Sequence, residues 1–191
     1  TAVTQHDHVG GVWVNVMGQE PFEGIVAAHY GEISRYLLRA VQRASEADDL
    51  SQETFLRAYR AYRALPPEAN VRAWLFAIAT NLSRNHFRAE KRRLTAHARV
   101  RVTRSQTDTD GPEGEAVAND ARAVIEASID RLPQKQRLAF VMRKVHDLDY
   151  DAIGRSLGCS AESARAHVFQ ALRKIRQSLN GYELREREPK G

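Results

Sequence analysis

The sequence has very little cysteine. Its 191 residues include one, Cys159, so no disulfide can form within the chain and no zinc site can be built from several thiolates. No run of about 18 apolar residues occurs, so we expect no membrane insertion. Residues 1–20 have neither a basic start nor an adequate apolar stretch, which argues against a secretory signal. Together these absences predict a cytoplasmic protein.

The sequence also lacks the residue patterns of an enzyme. It contains no acid–base pair, no nucleophile beside a base and no glycine-rich phosphate loop. His167 stands apart from other metal-binding residue types. We therefore expect no catalytic residue, no metal site and no cofactor.

Positive charge is what the sequence has instead. Lysine and arginine number 29 against 24 aspartate and glutamate residues, for a formal net charge of +5. Such an excess favours a polyanionic partner, although it says nothing about the fold. Hydrophobic residues make up 42% of the chain, enough for small cores in a soluble protein.

Helix-forming composition occurs in two blocks, and no stretch alternates in the manner of a strand. The polar segment between the blocks carries serine, threonine, glycine and proline, which is typical of a linker. We predict an all-α protein with two small helical domains joined by a flexible linker. The predicted ranges are an N-terminal flexible extension at 1–21, a first domain at 22–95, the linker at 96–120, a second domain at 121–184 and a tail at 185–191.

The first block predicts a helix from Leu50 to Leu65, ended by Pro66-Pro67. Its expected inner face consists of Leu50, Thr54, Phe55, Ala58, Ala61, Tyr62 and Leu65. On the opposite, charged face, Leu56 is the one apolar residue. Single exposed leucines are common, but an apolar residue ringed by charges is also the pattern of a docking surface. Both interpretations stay open at this point.

A second helix is predicted from about Val71 to Arg93. Its expected buried stripe is Leu75, Ile78, Ala79, Leu82 and Ala89, and its polar stripe is Asn81, Arg84, Arg88 and Lys91, with Phe76, Thr80 and Phe87 beside it. Cations hold phosphates and aromatic rings stack on unpaired bases, so this combination favours single-stranded DNA binding. The competing interpretations are a solvated polar face and phenylalanines that belong to the core.

The second block predicts a helix-turn-helix. A helix starts at Leu132-Pro133 with an apolar stripe of Leu138, Val141, Met142 and Val145, and a short helix follows at Tyr150–Leu157. Gly158-Cys159 forms the turn, and Ser160 is the predicted N-cap of the last helix. A basic second helix after a short turn is the geometry that enters the major groove.

Two sequence tracts carry a family resemblance. The pattern D-D-L-x-Q-E-x-F at 48–55, with W-L-x-x-I-A-x-N at 74–81 and the basic residues after it, resembles region 2 of extracytoplasmic-function sigma factors. The stretch from Leu132–Arg137 through Phe169–Arg173 is similar to sigma region 4. The chain thus resembles an alternative sigma factor of bacterial RNA polymerase, in the sigma-70 family.

The resemblance implies three sets of functional residues. Asp49, Gln52, Glu53, Leu56 and Arg57 would bind core RNA polymerase, and Asn81, Arg84, Arg88, Lys91 and Arg92 would bind opened −10 DNA. Glu162, Ser163, Arg165, Ala166, Phe169, Gln170 and Lys174 would face the −35 element. The implied partners are the coiled coil of the largest polymerase subunit, the flap of the second-largest subunit, promoter DNA and an anti-sigma factor. The free protein is expected to be a monomer.

The sequence departs from the family pattern at Ala166, Gln170 and Gly154, where a hydroxyl, an arginine and an alanine are usual. These departures leave the −35 sequence open. Two other functions are compatible with parts of the pattern: a stand-alone helix-turn-helix regulator, and an interaction protein that mimics a sigma factor. A mimic would be expected to lose the basic stripe, which this chain retains.

Overall fold

The computed structural model describes residues 7–9, 12–14, 21–98 and 118–186, with side chains for 21–95 and 122–180. The described residues form one pair of short strands and seven helices: β1 (Asp7–Val9), β2 (Val12–Val14), α1 (Phe22–Val41), α2 (Ala44–Tyr62), α3 (Val71–Ala98), α4 (Ala118–Asp130), α5 (Gln134–Lys144), α6 (Tyr150–Leu157) and α7 (Ala161–Glu186). The chain divides into two compact units, 1–83 and 84–191, and α3 crosses the division. The predicted helical fold is confirmed, and the linker and tail mostly lie outside the described residues.

One pair of short strands lies in the segment that was predicted to be a flexible N-terminal extension. β1 pairs with β2 in antiparallel register, with Val9 opposite Val12. The two intervening residues are Gly10 and Gly11, a pair that favours a two-residue hairpin between apolar runs. Each strand has three residues, too few to show an alternating pattern.

The first unit is built around a core shared by α1, α2 and α3. Its fully buried large residues are Ile25, Ile33, Tyr36, Leu37, Leu75 and Phe76. The α1 helix ends at Val41, and the next residue, Gln42, caps it with a left-handed backbone conformation and donates its N–H to the Leu38 carbonyl. Arg72 of α3 pairs with Glu32 of α1, and the guanidinium carbon lies 5.4 Å from the centre of the Phe76 ring. Apolar burial and this ion pair together attach α3 to α1.

The helix boundaries of the first unit differ from those predicted. α2 starts six residues before Leu50 and ends at Tyr62, because the chain tightens there into turns with N–H groups of Ala64 and Leu65 bonded three residues back. Ala61, predicted to face inward, is exposed at this end. α3 begins where Asn70 accepts a hydrogen bond from the Ala73 N–H at 2.9 Å, and it continues to Ala98, into the predicted linker.

The second unit places α7 against α4, α5 and α6. Leu132, Ala171 and Ile175 form a buried cluster in which Ile129, Phe140 and Leu179 also pack. α6 has the predicted bounds, and Asp149 caps it by accepting a hydrogen bond from the Ala152 N–H at 2.6 Å. Gly158 ends α6 with φ of 64°, a left-handed conformation that favours glycine.

Val145 is a correction in this unit. It was predicted to continue the apolar stripe of Leu138, Val141 and Met142, but it is 44% exposed while those three are buried. The helix ends one residue earlier, at Lys144, and Val145 is its C-cap, so no further turn of the helix follows to continue the buried stripe. None of the helices in the described part of the chain is long and apolar enough to cross a bilayer.

Candidate polymerase and nucleic-acid interfaces

The exposed face of α2 carries apolar and charged residues together. Leu56 is 44% exposed, and Tyr59, one turn further on, is 60% exposed. Asp49, Gln52 and Arg57 are exposed around them, and Glu53 is half-buried. Arg57 pairs with Glu53 along the helix, with 2.6 Å between its Nε and the carboxylate oxygen. An apolar centre within a polar rim is the composition of a protein-docking surface.

Tyr59 is a member of this face that the sequence analysis missed. Its ring contacts Phe22 at the start of α1, with 5.3 Å between centroids, so the side chain is held in place while still exposed. Tyrosine is enriched among residues that contribute most to protein–protein binding. The signal in the sequence was its spacing of three residues from Leu56, which puts both on one side of the helix.

The polar stripe of α3 is exposed and single-signed. Asn81, Arg88, Lys91 and Arg92 are exposed and Arg84 is half-buried. At 100° per residue these five residues fall within about 100° of arc. Glu90, the only acid of α3, lies on the opposite side of the helix from Asn81. The stripe therefore has no carboxylate to neutralise it from its own helix.

A shallow cavity of about 510 Å³ lies on the same side of α3. Asn85, Arg88, Lys91, Arg92 and Thr95 line it. Three cations around a surface depression favour the binding of phosphate groups. Asn85 and Thr95 extend the stripe beyond the residues predicted from the sequence.

The residues predicted beside the stripe do not all lie there. Phe76 and Thr80 are fully buried, and Phe87 is half-buried. Ala89, predicted to be buried, is exposed. Thr80 accompanies the core because it hydrogen-bonds Tyr36 of α1, an interaction that the helical pattern of one segment cannot reveal. Of the two phenylalanines, Phe76 is a core residue.

The predicted −35 residues all lie on the exposed side of α7. Glu162, Ser163, Arg165, Ala166, Phe169, Gln170 and Lys174 are exposed, and Phe169 is 66% exposed. The opposite side of the helix is buried at Ala164, Val168 and Ala171. The start of α7 is capped as predicted, because the Ser163 N–H donates to Oγ of Ser160 at 3.1 Å. Because one side of α7 packs in the core of the second unit, the other side is left accessible to a ligand.

Residues of α5 and α6 hold two of these exposed side chains. The guanidinium carbon of Arg165 lies 5.0 Å from the centre of the Tyr150 ring, and that of Arg143 lies 5.2 Å from the same ring. Nε2 of Gln136 donates a hydrogen bond to Oε1 of Gln170 at 2.6 Å. Tyr150 and Gln136 were not predicted as site residues, because only tertiary packing brings them to α7.

Gly154 sits where two backbone segments come close. A Cβ at this position would lie 2.8 Å from the Cys159 carbonyl oxygen and 3.1 Å from the Ala161 nitrogen. The Gly154 carbonyl also accepts a hydrogen bond from the Cys159 N–H. Glycine at this departure from the family pattern therefore lets α6 approach the start of α7.

No group of histidine, cysteine or acidic residues in the described ranges is arranged to hold a metal ion. Burial lowers the pKa of His167, and the nearby charge of Lys135 lowers it further. The imidazole is therefore neutral at pH 7 and adds no charge to α7.

Family models match two separate segments of the chain. The model described as Sigma-70 region 2 matches residues 25–93, and the one described as Sigma-70, region 4 matches residues 122–175. Together the matched segments make up more than half of the chain, in the order predicted from the sequence.

Characterised relatives match most of the chain. The RNA polymerase sigma-H factor of Pseudomonas aeruginosa is 28% identical over 165 residues, which is 83% of this chain and 86% of that protein. The ECF RNA polymerase sigma-E factor of Haemophilus influenzae is 26% identical over 168 residues, which is 84% of this chain and 88% of that protein.

Solved structures share the fold. The sigma factor RpoE in complex with the anti-sigma factor NepR, from Bartonella quintana, aligns with a TM-score of 0.68 at 18% identity, covering 83% of this chain and 96% of that one. CnrH in complex with the cytosolic domain of CnrY aligns with a TM-score of 0.60 at 21% identity, covering 84% and 88%. At these identities the likeness supports the fold alone.

Proposed function

The chain belongs to the sigma-70 family, among the extracytoplasmic-function sigma factors of RNA polymerase, and from this premise we propose how its residues divide the work of initiation. The region 2 segment binds core polymerase and opened −10 DNA, and the region 4 segment reads the −35 element. The protein performs no chemistry of its own. It positions polymerase and contributes binding energy to strand opening.

The exposed face of α2 is the proposed contact with core polymerase, through the coiled coil of the largest subunit. Its members are Asp49, Gln52, Glu53, Leu56 and Arg57, to which we add Tyr59. Leu56 and Tyr59 supply apolar area that a partner would bury, and the charged residues around them would set orientation and exclude wrong partners.

The stripe of α3 is the proposed site for −10 DNA. An asparagine amide can hydrogen-bond the edge of an extruded base, and Asn81 is exposed at the first turn of the stripe. Arg84, Arg88, Lys91 and Arg92 would hold the phosphates that follow. The observation that carries this proposal is the acid-free arc of α3, because four cations with no carboxylate of their own helix beside them attract a polyanion.

The exposed side of α7 is the proposed recognition surface for the −35 element. Arg165 and Gln170 have side chains that can hydrogen-bond base edges in the major groove, whereas Lys174 suits a phosphate. Region 4 would also contact the flap of the second-largest polymerase subunit. That contact and the base preferences of Arg165 and Gln170 are parts of the proposal.

We further propose an anti-sigma factor as a partner and the cytoplasm as the place of action. Support for the partner comes from the fold shared with RpoE, whose structure was solved in complex with the anti-sigma factor NepR. Neither alternative function is favoured. A stand-alone regulator would have no use for a region that matches sigma-70 region 2. A protein that only mimics a sigma factor would have no use for the basic stripe of α3.

Transcription from genomic fragments tests the proposal. Purified core polymerase is combined with the protein, and run-off transcripts are sequenced to map their start sites. We expect discrete starts that need both core polymerase and this chain and that share two spaced motifs upstream. Specific DNA binding by the chain without polymerase, together with no new start sites, would support a stand-alone regulator instead.

A further inference from the structure

The amide of Gln170 is already bonded within the protein. Nε2 of Gln136, on α5, lies 2.6 Å from Oε1 of Gln170 and donates a hydrogen bond to it. Gln136 is half-buried, and its own oxygen faces inward, where it has no hydrogen-bond partner among the described residues. The packing of α5 on α7 therefore brings the donor end of one amide to the acceptor end of the other.

This bond changes what Gln170 offers to DNA. A glutamine amide has one oxygen that accepts hydrogen bonds and one nitrogen that donates two. A glutamine with both ends free reads adenine, since its nitrogen donates to N7 and its oxygen accepts from N6. In this chain Gln136 occupies one of the two lone pairs of the Gln170 oxygen and ties that end of the amide to α5, so the two N–H groups are the larger capacity left for a base.

We propose that Gln136 is a specificity-determining residue of promoter recognition, because its hold on Oε1 biases Gln170 towards acting as a hydrogen-bond donor. A donor selects acceptors in the major groove, and guanine offers two, N7 and O6. Adenine puts its own donor beside N7, and cytosine presents a donor alone. Guanine is thus the preferred base opposite Gln170. The inference rests on the proposed reading of the −35 element by α7.

Replacing the amide nitrogen of Gln136 with an oxygen should reverse which end of the Gln170 amide faces the DNA. In Gln136→Glu the carboxylate only accepts, so it bonds Nε2 of Gln170 and turns Oε1 towards the groove. Adenine and cytosine, which present donors, then become preferred. Gln136→Leu removes both functions and frees Gln170 to adopt the adenine mode. Glutamate in the first turn of a helix is favourable, so we expect Gln136→Glu to fold.

The experiment uses reconstituted holoenzyme and a promoter library randomised across the −35 element. Transcript sequencing gives the base preference at each position for the wild type and each variant. At one position, Gln136→Glu should lower the ratio of guanine to adenine by about fivefold, the scale of one hydrogen bond. Asn180→Asp makes the same amide-to-carboxylate change on an exposed part of α7 and should leave the profile unaltered.

The outcomes distinguish a failure of this inference from a failure of the proposed reading of the −35 element by α7. If the wild type shows no preference at any −35 position, the proposed reading by α7 fails. If the wild type selects bases but both Gln136 variants keep its profile, the inference is overturned while the proposed function stands. A uniform loss of transcription with an unchanged profile also overturns it, since Gln136 then only supports the fold. Should Gln136→Glu fail to fold by circular dichroism, the profile of Gln136→Leu decides.

Discussion

The hydroxyl of Tyr36 in α1 lies 2.8 Å from Oγ1 of Thr80 in α3, and both side chains are fully buried. The next residue, Asn81, is exposed. Because successive residues of a helix lie 100° apart, a Thr80 held inward leaves Asn81 facing outward. The hydrogen bond thus favours the same rotation of α3 that the buried Leu75, Phe76 and Ala79 require, with the basic stripe facing outward.

Tyr36→Phe should reduce the loss of protein stability at alkaline pH. Burial raises the pKa of Tyr36 well above its usual value, and the bond to Thr80 offsets part of that rise. The folded protein therefore keeps the phenol neutral. The contribution of Tyr36 to the free energy of unfolding is intact below pH about 10 and is lost as the pH rises beyond it, because the unfolded chain can then ionise the phenol. Urea unfolding between pH 8 and 11 should show a shallower loss for Tyr36→Phe, at a cost of about 1 kcal/mol at neutral pH. Parallel slopes for the two proteins would contradict this.

Leu56→Asp should abolish binding to core polymerase and leave the helical content unchanged. A charge at the centre of a docking surface would have to be buried without a partner, which costs several kcal/mol. Co-elution with core polymerase and circular dichroism measure the two effects. Leu38→Asp is the matched control, because Leu38 is a leucine of similar exposure, 46%, on a different helix, α1. Retained co-elution of Leu56→Asp would remove this face from the proposal.

Asn81→Ala should impair strand opening more than initial promoter binding. Extrusion of a base costs a few kcal/mol, which the amide helps to offset only after the base has left the stack. Permanganate footprinting on duplex promoter should show reduced opening, and a template with a mismatched −10 region should show a much smaller effect. If Asn81→Ala opens duplex promoter as well as the wild type does, the assignment to −10 DNA is wrong and the stripe is only a solvated face.

Arg88→Ala should weaken promoter binding in a salt-dependent way. A phosphate contact releases condensed counterions, so its loss should reduce the slope of log affinity against log salt by about 0.7 to 0.9. Titrations of holoenzyme with promoter between low and moderate salt measure this slope. Arg39→Ala removes an equal charge from an exposed site on α1 and should keep the slope. Equal slopes for all three proteins would count against a phosphate contact.

Gly154→Ala should destabilise the second unit. Its new Cβ would meet backbone atoms at 2.8 and 3.1 Å, and backbone cannot turn aside as a flexible side chain does. Overpacking of this kind costs about 1–3 kcal/mol. Gly31→Ala in α1 meets only the end of the Arg35 side chain, at 3.4 Å, and should stabilise by about 0.5–1 kcal/mol. Thermal unfolding of both variants checks the opposite signs.

Several features followed from local sequence alone. The bounds of α6, the cap at Ser160 and the left-handed Gly158 all depend on residues within a few positions of one another. The exposed side of α7 followed from helical periodicity in the same way. The exposure of Leu56 was likewise implied by its neighbours on α2, because a charged face stays in water wherever the helix packs.

Other features needed contacts between segments far apart in the chain. Thr80 and Phe76 were assigned beside the basic stripe, but the first bonds Tyr36 and the second packs against it, 5.0 Å between ring centroids. The strand pair at Asp7–Val9 and Val12–Val14 was missed because three residues are too few to alternate. The bond from Gln136 to Gln170 joins residues 34 positions apart, and no periodicity relates them.

The sequence by itself determined the two helical blocks, their order, the positive charge and the exposed sides of α2 and α7, because hydrophobic periodicity and capping act within one helix. Only the tertiary structure decided the burial of Phe76 and Thr80, the place for glycine at Gly154 and the bond between Gln136 and Gln170. Those depend on which atoms of a second helix arrive within hydrogen-bonding or van der Waals distance, and packing between helices alone sets that distance.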